Sequence, residues 1–127
     1  MMTNFSIILI GLILSITLNA CAQLFIRAGV MNKKIDLNLD IIFEIIKSLP
    51  VWYGMICYAI SIFLWIYVLS KIQVSLAYPF QALGYILGSF LAWYILDEKI
   101  NNINLLGLFF IFVGIMILSV GIYINEK

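Results

Sequence analysis

The sequence predicts an all-α integral membrane protein: four transmembrane helices, with a short amphipathic interfacial helix between the first two. Two observations predict it. The 127-residue chain is 65% hydrophobic and only 10% charged, far from the balance of a soluble domain. Its apolar residues also fall into four stretches, at about residues 5–30, 51–70, 74–96 and 103–124. Each can cross a hydrocarbon core of ~30 Å, which takes about 20 helical residues. The runs are continuous rather than alternating, so they read as helices and not as barrel strands. Short connections leave no room for a soluble domain, and a single transmembrane domain over residues 1–127 is expected.

The first span contains no carboxylate. Leu18-Asn19-Ala20-Cys21 faintly resembles a lipoprotein cleavage site. Residues 1–6 lack the basic start of a signal peptide, and the apolar run continues through Ala22, Leu24, Phe25 and Ile26. A retained first helix is therefore expected. The connection 31–50 starts polar, from Met31 through Asn38 to Asp40. It then turns amphipathic, with Ile41, Ile42, Phe43, Ile45 and Ile46 set against Glu44, Lys47 and Ser48. Asp40 is a good cap for this short helix. About two turns cannot span, so the helix is expected at the membrane surface, with Leu49-Pro50 breaking it before the second span.

Trp52-Tyr53 opens the second span and Trp65 and Tyr67 close it; Trp93-Tyr94 and Tyr123 close the third and fourth. Such ends fit interfacial aromatic belts. The link Ser70-Lys71-Ile72-Gln73 is tight enough to make spans two and three an antiparallel hairpin. Residues 97–102 join spans three and four, with Asn102 a good cap. Four spans put both termini on one side with Lys71 and Lys127. Arg27, Lys33, Lys34, Lys47 and Lys99 fall on the other. The bias of basic residues places loops 1 and 3 in the cytoplasm and both termini outside.

Polar side chains inside spans are the candidate site, because each is costly in lipid unless it faces another helix or a wet cavity. In the first span Ser15, Asn19, Gln23 and Arg27 recur every fourth residue and form one slowly drifting stripe. Ser15 reads best as an interhelical hydrogen-bonding residue. Asn19 and Gln23 suit either that role or substrate binding. Arg27 either snorkels to the surface or meets an anionic head group, whose phosphate its planar fork matches. In the third span Tyr78, Gln81, Tyr85 and Ser89 lie within about 80° of one another. Pro79 is a candidate kink, and Gly84 and Gly88 allow close helix approach. In the fourth, Gly107, Gly114 and Gly121 are spaced by seven along one seam. That seam suits contact with a second subunit, or packing within the same one.

Other chemistry finds little support. The chain has no His, and Cys21 and Cys57 both sit inside apolar runs, which argues against a zinc site and a structural disulfide. No nucleophile with a base, phosphate-cradling loop or metal cluster is present, so no enzyme activity and no cofactor are expected. A net charge of +1 without a basic arm gives no reason to expect nucleic acid. Asp97 and Glu98 read as a capping or solvated pair in a loop.

Several motifs carry a family resemblance. Ser75-Leu76-Ala77-Tyr78-Pro79 is followed by Gly84, Gly88 and Leu96-Asp97-Glu98-Lys99. Ala22-Gln23-Leu24-Phe25-Ile26-Arg27-Ala28-Gly29 ends the first span, and Gly107 and Gly114 lie in the fourth. Together they resemble the small multidrug resistance family and its EamA-type relatives in the drug/metabolite transporter superfamily. The Ala-Tyr-Pro form is most similar to short EamA-type proteins, which include the paired subunits of an aminoarabinose–undecaprenyl-phosphate flippase. Drug-exporting members carry a glutamate two turns before a basic residue in the first helix. With that basic residue on Arg27, Asn19 stands in the glutamate's place, and Asn cannot titrate. Those members also carry a Trp where this chain has Gln81.

The resemblance implies a subunit, homodimeric or paired with a similar small subunit, that translocates a polyisoprenyl-phosphate-linked sugar or similar anionic lipid across a bacterial-type inner membrane. Asn19, Gln23, Arg27, Tyr78, Gln81 and Tyr85 are the expected substrate contacts. The alternatives are a small-metabolite or cation exporter, and a non-transporting accessory subunit.

Overall fold

The computed structural model describes residues 2–31, 33 and 40–125. Asn32, Lys34 and residues 35–39 of the first connection, Lys127, and the Tyr123 side chain lie outside the described residues, and with them part of the charge bias and one belt aromatic. Six helices run in order: α1 (Met2–Val30), α2 (Asp40–Ile46), α3 (Leu49–Leu69), α4 (Val74–Gln81), α5 (Leu83–Leu96) and α6 (Asn102–Asn125). Four segments are long and apolar enough to cross a membrane: Ser6–Val30, Leu49–Leu69, Val74–Leu96 and Asn102–Gly121. This is an all-α, multi-pass membrane protein, as the four apolar runs predict.

The centre of the bundle is the antiparallel pair α1–α3. Its contacts step along both helices. Near the α1 C-terminus a Cβ at Gly29 would sit 2.7 Å from Ser48 Oγ and from Val51 Cγ2. One level deeper, a Cβ at Gly54 would lie 2.8 Å from the Ala22 carbonyl oxygen and 2.7 Å from Ile26 Cγ1. Only hydrogen fits at either position, so these glycines let two backbones meet. Next come two serines that bond reciprocally. Ser15 Oγ donates to the Ser61 carbonyl at 3.0 Å, and Ser61 Oγ donates to the Ser15 carbonyl at 2.9 Å. Leu12, Ile16 and Val68 then close the far end as an apolar cluster. Ser15 thus has the interhelical role its position suggests.

Local chemistry shifts several helix ends from expectation. Pro50 does not break the chain before α3. The break falls at Lys47-Ser48, and Pro50 occupies the first turn of α3, where its missing N–H removes no helical bond. Ser48 has the extended backbone of an N-cap, but its hydroxyl donates to the Gly29 carbonyl at 3.2 Å instead of capping α3. Asn102 likewise is the first residue of α6 rather than its cap, and the Asn101 carbonyl accepts the first bond, from Leu105 N–H at 3.0 Å. The third span is not one continuous helix. Pro79 lies inside α4, and the helix is interrupted three residues later at Ala82, whose N–H bonds the Pro79 carbonyl at 3.1 Å.

α2 leaves Ile42, Phe43 and Ile46 exposed, as an interfacial helix should. Two bonds hold its C-terminal half: Lys33 Nζ donates to the Glu44 carbonyl at 2.8 Å, and Trp52 Nε1 donates to the Ile46 carbonyl at 2.7 Å. α5 stops where Asp97 takes a left-handed conformation (φ 51°), letting Glu98 N–H reach back to the Ala92 carbonyl at 3.3 Å. That turn aims Glu98 toward the end of α1. α6 is exposed along most of its length, and Ile115 is its one buried residue among those described.

Candidate functional site

The spacing of polar residues on α1 and α4–α5 brings both stripes, apart from Arg27 and Ser89, to one cavity. It holds about 280 Å³ and is lined by Ser15, Asn19 and Gln23 of α1, Tyr78 and Gln81 of α4, and Gly84 and Tyr85 at the start of α5. α3 supplies the remaining wall with Tyr58, Ser61 and Trp65. The interruption at Ala82 lies between Gln81 and Tyr85, where the helix borders the cavity. Inside, Gln23 Nε2 donates to Asn19 Oδ1 at 2.9 Å, which fixes one amide against the other. The Trp65 ring meets Tyr78 edge-on, with centroids 6.1 Å apart. The lining offers amides and phenols as hydrogen-bonding groups, and none of the lining residues is a carboxylate, ammonium or guanidinium.

A second cavity of about 560 Å³ opens between α5 and α6. Ser89, Asn104 and the loop residues Glu98 and Lys99 give it polar groups; Gly88, Gly107, Leu108 and Ile111 line its apolar side. Gln23, Gly84 and Tyr85 border both cavities, so the two adjoin along α1 and α5.

Arg27 is the expected contact that stands apart, for it lines neither cavity. Its Nε–H donates to Glu98 Oε1 at 2.8 Å, with side chains 54% and 38% exposed. This corrects the reading of Glu98 as a solvated or capping carboxylate: it is the partner of Arg27, 71 residues away in the chain. The pair also fastens the C-terminal ends of α1 and α5 on one side of the bundle.

The glycines sort in a way their spacing does not reveal. Gly84 approaches α1, where a Cβ would lie 3.4 Å from Ile16 Cγ2. Gly88 does not; a Cβ there would meet nothing within 4 Å. The same is true of Gly107, Gly114 and Gly121, so this seam packs against no other helix among the described residues. Three lining residues escape a reading of the polar stripes. Tyr58 and Ser61 lie in an otherwise apolar span, and Trp65 looks like a belt residue. Their spacing of three and four is the signal that puts them on one face of α3.

Comparison with known proteins agrees with this architecture. The EamA-like transporter family matches residues 1–120. A Klebsiella pneumoniae protein described as a probable 4-amino-4-deoxy-L-arabinose-phosphoundecaprenol flippase subunit ArnE is 36% identical over 73 residues, 56% of this chain and 65% of that protein. The Salmonella paratyphi B protein of the same description is 34% identical over 75 residues, 58% of this chain and 68% of that one. The Pseudomonas aeruginosa protein (strain UCBPP-PA14) is 28% identical over 68 residues, covering 54% and 59%. The chain thus spans about three fifths to two thirds of the length of these curated relatives. No solved structure matches it. With four spans in place and the family matched across nearly the whole length, the chain belongs to the EamA-like transporter family.

Proposed function

We propose that this protein is a transporter subunit that translocates a polyisoprenyl-phosphate-linked sugar, or a similar anionic lipid, across a bacterial-type inner membrane. The observation that carries the reading is the lining of the 280 Å³ cavity: three amides, three phenols and no carboxylate. Neutral donors and acceptors suit sugar hydroxyls. Without a carboxylate beside them, the cavity has no group to exchange a proton for a cationic drug. Arg27, one turn beyond Gln23, takes the phosphate with its planar fork. Asn19, Gln23, Tyr78, Gln81 and Tyr85 hold the sugar. The names of the relatives, which specify an aminoarabinose-phosphoundecaprenol, support this ligand class.

In this reading residues 1–127 act as one transmembrane unit, and Gly107, Gly114 and Gly121 meet a second copy or a similar small subunit. Loops 1 and 3 face the cytoplasm, so a cysteine placed at Asn38 is shielded from an impermeant external thiol reagent in intact cells. One placed after Lys127 is labelled. Equal labelling of both would contradict the orientation.

The functional test is lipid translocation by Arg27 variants, normalised to membrane protein level. Arg27→Gln is expected to lose transport while still inserting, and Arg27→Lys to retain part of it, because the charge stays and the fork is lost. Full activity in Arg27→Gln would remove the head-group role. Full activity in Arg27→Lys, with poor expression of Arg27→Gln, would reduce Arg27 to a snorkelling anchor.

A further inference from the structure

The Arg27–Glu98 pair has the form of an occupied anion site. A guanidinium normally receives a carboxylate through two parallel bonds. Here only Nε–H is engaged, at 2.8 Å, and the two terminal NH₂ groups make no hydrogen bond among the described residues. Most of the fork therefore stays open beside the carboxylate. The contact is half-exposed, in the last turn of α1. Glu98 also lines the α5–α6 cavity, which adjoins the amide-lined one at Gln23 and Tyr85.

We propose that Glu98 is an internal competitor for the substrate phosphate at Arg27, and that its displacement admits the head group to the α5–α6 cavity. The proposal rests on the phosphate role of Arg27 and adds the residue that sets the affinity of that site. Two physical points support it. A half-exposed ion pair is weak, because water screens it and both side chains lose freedom in forming it. A phosphate offers Arg27 two or more oxygens where Glu98 supplies one contact, so the exchange favours the phosphate. The movement required is small. Asp97 and the Glu98–Ala92 backbone bond hold the turn, so only the Glu98 side chain has to swing. Glu98 and Lys99 both line the α5–α6 cavity, so the released carboxylate would have a cation beside it there.

The test uses the full chain in phosphatidylcholine nanodiscs, titrated with farnesyl phosphate, farnesol and inorganic phosphate. Glu98→Gln keeps an oxygen that can still orient Arg27 but loses the charge; Glu98→Ala loses both. Competition requires that both variants bind farnesyl phosphate more tightly than the native chain, about fivefold, on the scale of one exposed ion pair. Farnesol binding should not change. If Glu98→Gln binds as the native chain does and Glu98→Ala binds more weakly, Glu98 merely orients Arg27 and the proposal fails. It also fails if neither variant differs from the native chain, or if the gain is confined to inorganic phosphate. Arg27→Gln separates the two layers: native affinity in that variant strikes the head-group role itself, whatever Glu98 does.

Discussion

The α1–α3 pair and the α5–α6 pair draw on the same residues, apolar side chains with interspersed glycines, and meet in opposite ways. In α1–α3, Gly29 and Gly54 have no room for a Cβ, two serines bond across the interface, and Val68 and Ala22 are fully buried. In α5–α6, the four glycines Gly88, Gly107, Gly114 and Gly121 face open space, and a 560 Å³ cavity separates the helices. A glycine holds helices together only where another backbone lies opposite it. The first pair is a fixed scaffold that sets the amides of α1. The second leaves a cavity and a glycine seam with no helix against it among the described residues, which the proposed function assigns to substrate and to a second subunit.

Leucine substitutions should break this contrast most sharply. Gly54→Leu drives a side chain into the Ala22 carbonyl and Ile26 and is expected to abolish the folded, monodisperse species in detergent, a cost of several kcal/mol. A Cβ at Gly114 meets nothing within 4 Å among the described residues, so Gly114→Leu should melt at the native temperature. In membranes, however, it should lower the yield of cross-linked dimer, because it holds two backbones apart. Equal melting behaviour of the two variants would erase the distinction between the pairs. An unchanged cross-linking yield in Gly114→Leu would deny the seam a role between subunits.

The serine pair gives an intermediate effect. Ser15→Ala/Ser61→Ala removes both interhelical bonds and should cost about 1–2 kcal/mol in reversible unfolding. Each single variant should cost less, because the remaining hydroxyl still reaches the opposite carbonyl. At the α5–α6 turn, Asp97→Val should cost about 1 kcal/mol, since a β-branched residue resists φ 51°, whereas Asp97→Gly should be tolerated. A harmless Asp97→Val would show that the turn is not held where Glu98 needs it.

The four spans and the interfacial helix are legible in the sequence because crossing a bilayer demands about 20 apolar residues and little else. The stripes on α1 and α4–α5 are legible for a similar reason: polar groups inside spans need partners, and Ser15, Asn19, Gln23, Tyr78, Gln81 and Tyr85 meet at one cavity. What escapes is information that depends on the partner helix. Gly54 looks like any other glycine until the Ala22 carbonyl lies against it, while the regular heptad of Gly107, Gly114 and Gly121 faces nothing among the described residues. Glu98 looks like a solvated loop acid because its cation is 71 residues away. Pro50 looks like a breaker because a proline before a span and a proline in its first turn have the same local sequence.

The most direct measurement of the central claim is photo-cross-linking of a diazirine-bearing polyisoprenyl phosphate to the full chain in membranes, mapped by peptide mass spectrometry. Binding through the amide-lined cavity and Arg27 predicts adducts on α1 between Asn19 and Arg27 and on α5 near Tyr85. Excess unlabelled polyisoprenyl phosphate should suppress them, and Arg27→Gln should lose them. Adducts spread over lipid-facing residues such as Phe63, insensitive both to competitor and to Arg27→Gln, would contradict the account.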